Sequence, residues 1–135
     1  MVCVLVAVLA ALLMGTGATF AAAGPIQPQS IPTEIDASPD TQTISSSVPP
    51  YCPATASWTA YLMGGSGTYS VSVSYGDGSG RSWPSYTGSS LSDSHTYGGC
   101  TPTIFTQSWQ ASSLQSTGYD TTRVDYNYSI GTRRA

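Results

Sequence analysis

Three adjacent residues, Asp93, Ser94 and His95, are of the types that make up a hydrolytic triad. In a triad the histidine takes a proton from the serine while the carboxylate orients the ring, so the side chains converge from separate elements. Neighbouring residues in an extended strand instead point to opposite faces. His95 is the single histidine of the chain, and we expect it to have a structural role. The alternative is a small secreted hydrolase using His95, which requires a serine or carboxylate from another strand within hydrogen-bond distance.

Three carboxylates, Asp77, Asp93 and Asp120, fall in segments that we expect to be loops and that could hold calcium. Calcium takes about six to eight oxygen ligands, usually from closely spaced acidic residues, and these three are far apart in the sequence. Asp77 lies between two glycines, where a carboxylate commonly caps a turn by accepting backbone hydrogen bonds. We predict no metal and no cofactor, with adventitious calcium at a loop as the alternative.

The segment from Arg81 to Tyr86 contains residue types that are enriched in binding hot spots. Trp83 and Tyr86 could offer a flat platform for a sugar ring or for a partner's side chain, and Pro84 would stiffen the segment. The alternative is that either ring folds inward, because large aromatic residues dominate small cores. Arg81, Trp83 and Tyr86 are therefore candidate binding residues, with packing as the competing interpretation.

Alternation of apolar and polar residues predicts strands that are buried on one face. The residues predicted to face inward are Ala56, Trp58, Ala60, Leu62, Tyr69, Val71, Val73, Tyr75, Thr122, Val124, Tyr126, Tyr128 and Ile130. Many of them are β-branched or aromatic, as is typical of strands, and no segment has a helical period. Short strands separated by Gly and Pro turns predict an all-β fold, an antiparallel sandwich of two sheets.

A further strand is predicted from Thr103 to Ala111, but its pattern is less regular. Phe105, Trp109 and Ala111 share a face with Gln107, and a buried amide without a partner is costly. Either Gln107 finds a hydrogen-bond partner inside the core, or a bulge shifts the register of the strand.

Two short motifs in this pattern resemble the polycystic kidney disease (PKD) domain, an immunoglobulin-like β-sandwich. The segment Tyr75–Ser79 is similar to the family's Gly-Asp-Gly-Ser turn, and Ser94–Tyr97 is similar to its Ser-His-Thr-Tyr corner. The resemblance covers about residues 51–130. It departs from the family at Val73-Ser74, where Trp-Asp is usual, and at Gly98–Pro102, where Gly-Thr-Tyr is usual.

The resemblance implies structural roles for three residues. Asp77 would brace its turn through backbone hydrogen bonds, and His95 and Tyr97 would fix the corner between the sheets. Family members mostly serve as extracellular spacers or as binding modules for proteins and polysaccharides. Only that broad role is implied for this chain.

The N-terminus has the pattern of a secretory signal peptide over residues 1–23. An apolar run from Val2 to Met14 precedes the small residues Ala21–Ala23, which would place cleavage before Gly24. An uncleaved membrane anchor is the alternative. Six prolines then predict a Pro/Ser-rich linker over residues 24–50, in which Thr41 to Val48 could add an edge strand. The sandwich domain is expected over residues 51–135.

Cysteine usage agrees with export. Of the three cysteines, Cys3 would leave with the signal peptide, and Cys52 and Cys100 would remain in an oxidising compartment. We predict that these two form a disulfide, with buried free thiols as the alternative. Closing so long a loop stabilises a fold by about 4 kcal/mol on the chain-entropy model.

The charge of the chain narrows the range of partners. Only 8% of the residues are charged, the net charge is −3 and none of the residues is lysine, so the basic surface that nucleic acids require is absent. We predict a secreted monomer that is a non-catalytic module for extracellular protein or polysaccharide binding or for structural spacing. A secreted inhibitor or effector presenting one rigid loop is a further alternative.

Overall fold

The computed structural model describes residues 31–47 and 49–129. Within these ranges the chain forms eight strands: β1 (Glu34–Ser38), β2 (Thr41–Ser46), β3 (Ala54–Met63), β4 (Tyr69–Ser74), β5 (Gly80–Tyr86), β6 (Ser90–Tyr97), β7 (Thr103–Ser112) and β8 (Thr117–Tyr128). The same ranges contain no helix that is long and apolar enough to cross a membrane. The predicted signal peptide lies outside the described residues.

The strands form two sheets, which confirms the predicted sandwich. One sheet has the order β1-β3-β6 and the other the order β2-β8-β7-β4-β5. This order is immunoglobulin-like, because strands A, B and E of that fold share one sheet while G, F, C and C′ share the other. The predicted antiparallel pairing is correct for every pair except β2 and β8, which run parallel.

Residues 34–46 of the predicted linker form β1 and β2. β2 lies at the edge of the five-stranded sheet and confirms the edge strand expected within Thr41 to Val48, whereas β1 was not expected. The chain pairs with β3 as β1, turns at Pro39 and joins the other sheet as β2 beside β8. Gln42 secures this change of sheet: its side chain donates to the carbonyl of Ser57 at 3.1 Å and accepts from the amide of Ser57 at 3.2 Å. Both strands are short, so their alternation was too brief to distinguish from a proline-rich segment. The folded unit begins well before the expected start at residue 51.

The core lies between the sheets and confirms the predicted inward faces. The buried apolar residues of β3, β4 and β8 are Ala54, Ala56, Trp58, Ala60, Leu62, Tyr69, Val71, Val73, Val124 and Tyr126. Trp58 and Trp109 meet edge to face across the sandwich, with ring centroids 6.0 Å apart. Burying residues of this size is the main favourable contribution to folding, roughly 1.5–3 kcal/mol for each large side chain. Ile130, also predicted to face inward, lies outside the described residues.

Gln107 is fully buried and finds partners, as the first of the two alternatives predicted. Its Nε2 donates to the Tyr97 hydroxyl at 2.7 Å and to the Tyr75 carbonyl at 3.2 Å. Its Oε1 accepts from the Thr122 hydroxyl at 3.1 Å, which in turn accepts from Trp109 Nε1 at 3.3 Å. The pairing of β7 with β8 shows no shift of register. The amide therefore continues a hydrogen-bonded chain through the core.

The predicted disulfide is confirmed. Cys52 and Cys100 are bonded, with their Cα atoms 5.3 Å apart. The bond fastens the segment before β3 to the loop between β6 and β7. It closes one end of the sandwich.

Candidate functional site

The turn after β4 places Asp77. Gly76 and Gly78 have φ angles of +84° and +91°, a region that side chains with a Cβ rarely adopt. At Gly76 a Cβ would also lie 2.5 Å from the carbonyl oxygen of Thr106. Between them, Asp77 Oδ1 accepts from the Ser79 amide at 2.9 Å and from its hydroxyl at 2.6 Å. The Gly-Asp-Gly-Ser sequence thus has a local reason at each position.

His95, on β6, contacts this turn and a row of aromatic rings. Its Nε2 lies 2.7 Å from Asp77 Oδ2. The His95 ring stacks on Tyr75 with centroids 4.0 Å apart and meets the edge of Tyr97 at 4.7 Å. Burial acts to raise the pKa of Asp77, but the hydrogen bonds from Ser79 and His95 outweigh it and lower that pKa to about 2. Asp77 is thus held as a carboxylate against the opposite sheet.

The grouping of Asp77, Ser79 and His95 contains the residue types of a triad without its geometry. A relay needs the carboxylate on one ring nitrogen and the serine on the other. Here Asp77 lies 2.7 Å and Ser79 3.4 Å from the same Nε2. The Ser79 hydroxyl donates to Asp77 at 2.6 Å, so its proton is directed away from the imidazole. The cluster holds the turn to β6.

Asp93, expected in a loop, lies within β6 with its side chain fully buried. Its Oδ2 accepts from the Tyr75 hydroxyl at 2.6 Å, and its Oδ1 accepts from Arg81 at 3.0 Å. Both partners belong to the other sheet or to the turn that follows it, so Asp93 ties the two sheets together. Burial, and then the bond to Asp93, raise the pKa of the Tyr75 hydroxyl far above its ordinary value.

Two further polar side chains, those of Tyr97 and Asp120, also join the two sheets. The Tyr97 hydroxyl donates to the Tyr75 carbonyl at 2.9 Å, and burial raises the pKa of Tyr97 to about 12. Asp120, also expected in a loop, lies in β8 and accepts from the Ala37 amide of β1 at 2.7 Å. Over residues 31–47 and 49–129, no three acidic, His or Cys side chains group as metal ligands.

Arg81, Trp83 and Tyr86 lie together on β5, the edge strand of the five-stranded sheet. Their cross-strand partners on β4 are the buried residues Val73, Val71 and Tyr69. Because directly paired residues share a face of the sheet, all three point toward the core side. A register irregularity between the Tyr86 and Trp83 pairs brings Tyr86 into phase with the other two.

These three residues pack against the core or against each other at the open edge of the sheet. The Arg81 guanidinium lies 5.0 Å from the centre of the Trp83 ring, and Trp83 and Tyr86 are half-buried against the core. The Tyr86 hydroxyl donates to the Ser90 carbonyl. The Arg81 side chain is 59% exposed and is the most accessible of the three. Their role in binding remains a prediction.

Hydroxyl groups are numerous on the outer face of the five-stranded sheet, which also carries Gln110, the exposed Ile104 and the Arg123–Asp125 pair. The residues that alternate with its buried ones include Thr41, Thr43, Ser45, Ser70, Ser72, Ser74, Thr106, Ser108, Thr117 and Thr121. Tyr119 breaks this pattern: it lies on β8 opposite Gln110 and is 71% exposed. It borders a shallow cleft of about 410 Å³ that is lined also by Ser72, Ser74 and Ser108.

The candidate residues named from the sequence do not include Tyr119, although the alternation of β8 predicts that it is exposed. The inward phase of β8 runs through Thr122, Val124 and Tyr126. Extended backwards with period two, it places Tyr119 in the outward phase with Thr121. An aromatic residue in the outward phase of a strand is the pattern that identifies it.

Comparison with solved structures gives a distant structural likeness. The CARDB domain of the PF1109 protein from Pyrococcus furiosus, solved in complex with di-metal ions, superposes with a TM-score of 0.43 at 10% identity, over 76% of this chain and 100% of that chain. A likeness this distant supports no transfer of function. No protein-family model matches the chain, and no curated protein matches it.

Proposed function

We propose that the chain is a secreted, non-catalytic immunoglobulin-like module of the PKD type, which binds an extracellular protein or polysaccharide or acts as a structural spacer. One observation carries the proposal. The side chains that could do chemistry are bonded to each other between the sheets, while the outer faces display mainly neutral hydroxyl groups.

Hydrogen bonds within the fold give a structural role to Asp93 and His95, whose types first suggested a hydrolytic triad. Asp77 and Ser79 bond to each other and to His95, and Asp93 bonds to Tyr75 and Arg81. A general base needs a free nitrogen or carboxylate within reach of a substrate. In these clusters the carboxylate oxygens of Asp77 and Asp93 and the Nε2 of His95 already have partners that hold the two sheets together.

The PKD type is supported by contact between the two motifs that suggested it. Asp77 of the Gly-Asp-Gly-Ser turn is 2.7 Å from His95 of the Ser-His-Thr-Tyr motif. Two short motifs that are separated in sequence thus act as one unit. Such a contact has a greater bearing on the proposal than either motif alone, because short motifs recur by chance.

Secretion is supported by the disulfide, since such bonds persist in oxidising compartments. Mass spectrometry of culture supernatant tests it directly. We expect a chain that begins at Gly24 and whose mass is lower by two hydrogens than that of the reduced chain, as one disulfide requires. A chain found only inside cells, with reduced cysteines, would exclude a secreted module.

The non-catalytic role is tested with the full disulfide-bonded chain. It is assayed for binding to insoluble polysaccharides and to extracellular proteins of its host, and for hydrolysis of polysaccharide, peptide and ester substrates. We expect no hydrolysis that depends on His95. Hydrolysis that disappears in His95→Gln, with the fold retained by circular dichroism, would replace the module with the hydrolase alternative.

The candidate residues of β5 are tested in the same binding assay. If Arg81, Trp83 and Tyr86 form the contact surface, Trp83→Ala and Tyr86→Ala lose binding while a folded state remains. Binding that survives both substitutions would remove the β5 edge as the site.

A further inference from the structure

We propose that the cleft beside Tyr119, on the outer face of the five-stranded sheet, binds a neutral polysaccharide with one sugar ring stacked on Tyr119. This inference rests on the proposed function and names its ligand class and its site.

The Tyr119 side chain is exposed and makes no polar or ring contact within the described residues. The ring is 71% exposed, and no hydrogen bond or ring contact joins it to any other residue in the described ranges. By contrast, Tyr126 on the same strand is buried and its hydroxyl donates to the Cys52 carbonyl. Tyrosine combines a flat apolar face with a polar tip, and at this position both are available to a ligand.

The floor of the cleft has the shape and the chemical groups that a sugar ring requires. Ser72, Ser74 and Ser108 are small and lie side by side on paired strands, so a flat ligand can approach the sheet closely. Their hydroxyls both donate and accept hydrogen bonds. A sugar has the same combination of hydroxyls around its rim and an apolar face of C–H groups. The floor and the tyrosine ring therefore match the two kinds of surface that a sugar presents.

Gln110 is the cross-strand partner of Tyr119 and adds an amide to the cleft. Its Nε2 donates to the Ser112 hydroxyl at 3.2 Å, which sets the orientation of the amide. Its Oε1 accepts no hydrogen bond from any described residue. Gln110 lines the cleft together with Tyr119, so this acceptor is available for a hydrogen bond from a ligand hydroxyl.

The cleft beside Tyr119 carries no charge. The residues that line the cleft are all neutral. A second cleft on this face, beside Ile104, is lined by Arg123 and Asp125, which pair with each other at 2.6 Å. Charge complementarity governs which partners approach a surface. The Tyr119 cleft has no charged group that could pair with an anionic glycan, a nucleic acid or a charged peptide. A neutral polysaccharide is the occupant that fits.

The opposite sheet supplies a matched control. Tyr61 of β3 also points outward and is 48% exposed. Its cross-strand partners are Asp36 and Ser90, so its surroundings carry a charge and lack the amide. Tyr61→Ala removes an exposed tyrosine from a strand without touching the proposed site.

The experiment measures depletion of the full disulfide-bonded chain by cellulose, chitin and insoluble xylan, with polygalacturonate as an anionic probe. We expect binding to at least one neutral polymer and none to polygalacturonate. Tyr119→Ala should weaken binding by roughly tenfold or more, as expected for an aromatic hot spot. Tyr119→Trp should retain binding, Gln110→Ala should weaken it several-fold, and Tyr61→Ala should leave it unchanged.

The proposed site would be overturned if a folded Tyr119→Ala bound as well as the wild type, or if Tyr61→Ala lost as much binding as Tyr119→Ala. It would also be overturned by preferential binding to polygalacturonate or by the absence of binding to every neutral polymer. If the chain captures an extracellular protein instead, this site fails while the proposed function stands. Hydrolysis dependent on His95 would overturn the proposed function whatever the result at Tyr119. Thermal unfolding of each variant separates loss of contact from loss of fold.

Discussion

Asp77 and Asp93 both join β6 to the opposite sheet, but one acts near the surface and the other inside the fold. The Asp77 side chain is 25% exposed and bonds to His95 and Ser79. The Asp93 side chain is 0% exposed and bonds to Tyr75 and Arg81. Tyr75 connects the two clusters, since its ring stacks on His95 while its hydroxyl bonds to Asp93.

Burial makes the contacts of Asp93 contribute more to the free energy of unfolding than the similar contacts of Asp77. A surface ion pair contributes about 0–1 kcal/mol because water solvates both charges when they separate. Removing one partner of a buried group leaves the other without hydrogen bonds and costs more. We therefore expect substitutions around Asp93 to destabilise the fold more than substitutions around Asp77.

The largest effect is expected for Asp93→Ala. The substitution leaves the buried Tyr75 hydroxyl without its acceptor and opens a space beside the core, which should lower the free energy of unfolding by about 3 kcal/mol. Denaturant unfolding measures the change, and Asp93→Asn is the control because it keeps an acceptor for Tyr75. A loss no larger than that of Asp77→Ala would remove the distinction between the two clusters.

A smaller loss is expected for Arg81→Met. Asp93 then keeps only its bond from Tyr75, but Arg81 lies at the open edge and water can replace it, so we expect a loss of about 1–2 kcal/mol. Arg123→Met is the matched control, because Arg123 pairs with Asp125 on the exposed face of β8. Equal losses in the two variants would show that the burial of Asp93 does not matter.

Tyr75→Phe tests the connection between the clusters. It removes the hydroxyl but keeps the ring that stacks on His95, so we expect a loss of about 1 kcal/mol. In a double-mutant cycle with Asp93→Ala the two losses should not add, because they remove the same bond. Additive losses would contradict the hydrogen bond as the source of the effect.

The smallest effect is expected for Asp77→Asn. A pKa lowered to about 2 corresponds to at most about 2 kcal/mol of stability at neutral pH, but the side chain is 25% exposed and water screens its interactions, so we expect a loss below about 1 kcal/mol. Because the pKa of Asp77 is lowered to about 2 in the fold, its charged form contributes stability above its ordinary pKa. That contribution is lost as the pH falls from about 4 to about 2. The stability difference between wild type and Asp77→Asn should therefore shrink over this range. A difference independent of pH would contradict the lowered pKa.

The aromatic residues of β5 and of β8 differ in how well the sequence predicts whether they are exposed. Trp83 and Tyr86 were candidates because of their residue types, yet both pack inward on the edge strand. The irregularity that puts Tyr86 in phase with Trp83 arises from the pairing of β5 with β4, and no local pattern reveals it. Tyr119 is exposed, and its outward phase could have been obtained from the alternation of β8 alone.

The order of residues was enough to predict the strands with long alternation and the turn at Asp77. Both follow from local rules, because side chains alternate across a strand and glycine alone adopts the turn's backbone angles easily. The bond between Cys52 and Cys100 was predicted from the number of cysteines left in an exported chain. The choice between a buried partner and a bulge at Gln107, the burial of Asp93, the pairing of β1 and the inward direction of the β5 aromatic residues became known from the folded structure. Those outcomes depend on which distant strand lies alongside, and burial is a property of the assembled sheets rather than of any one segment.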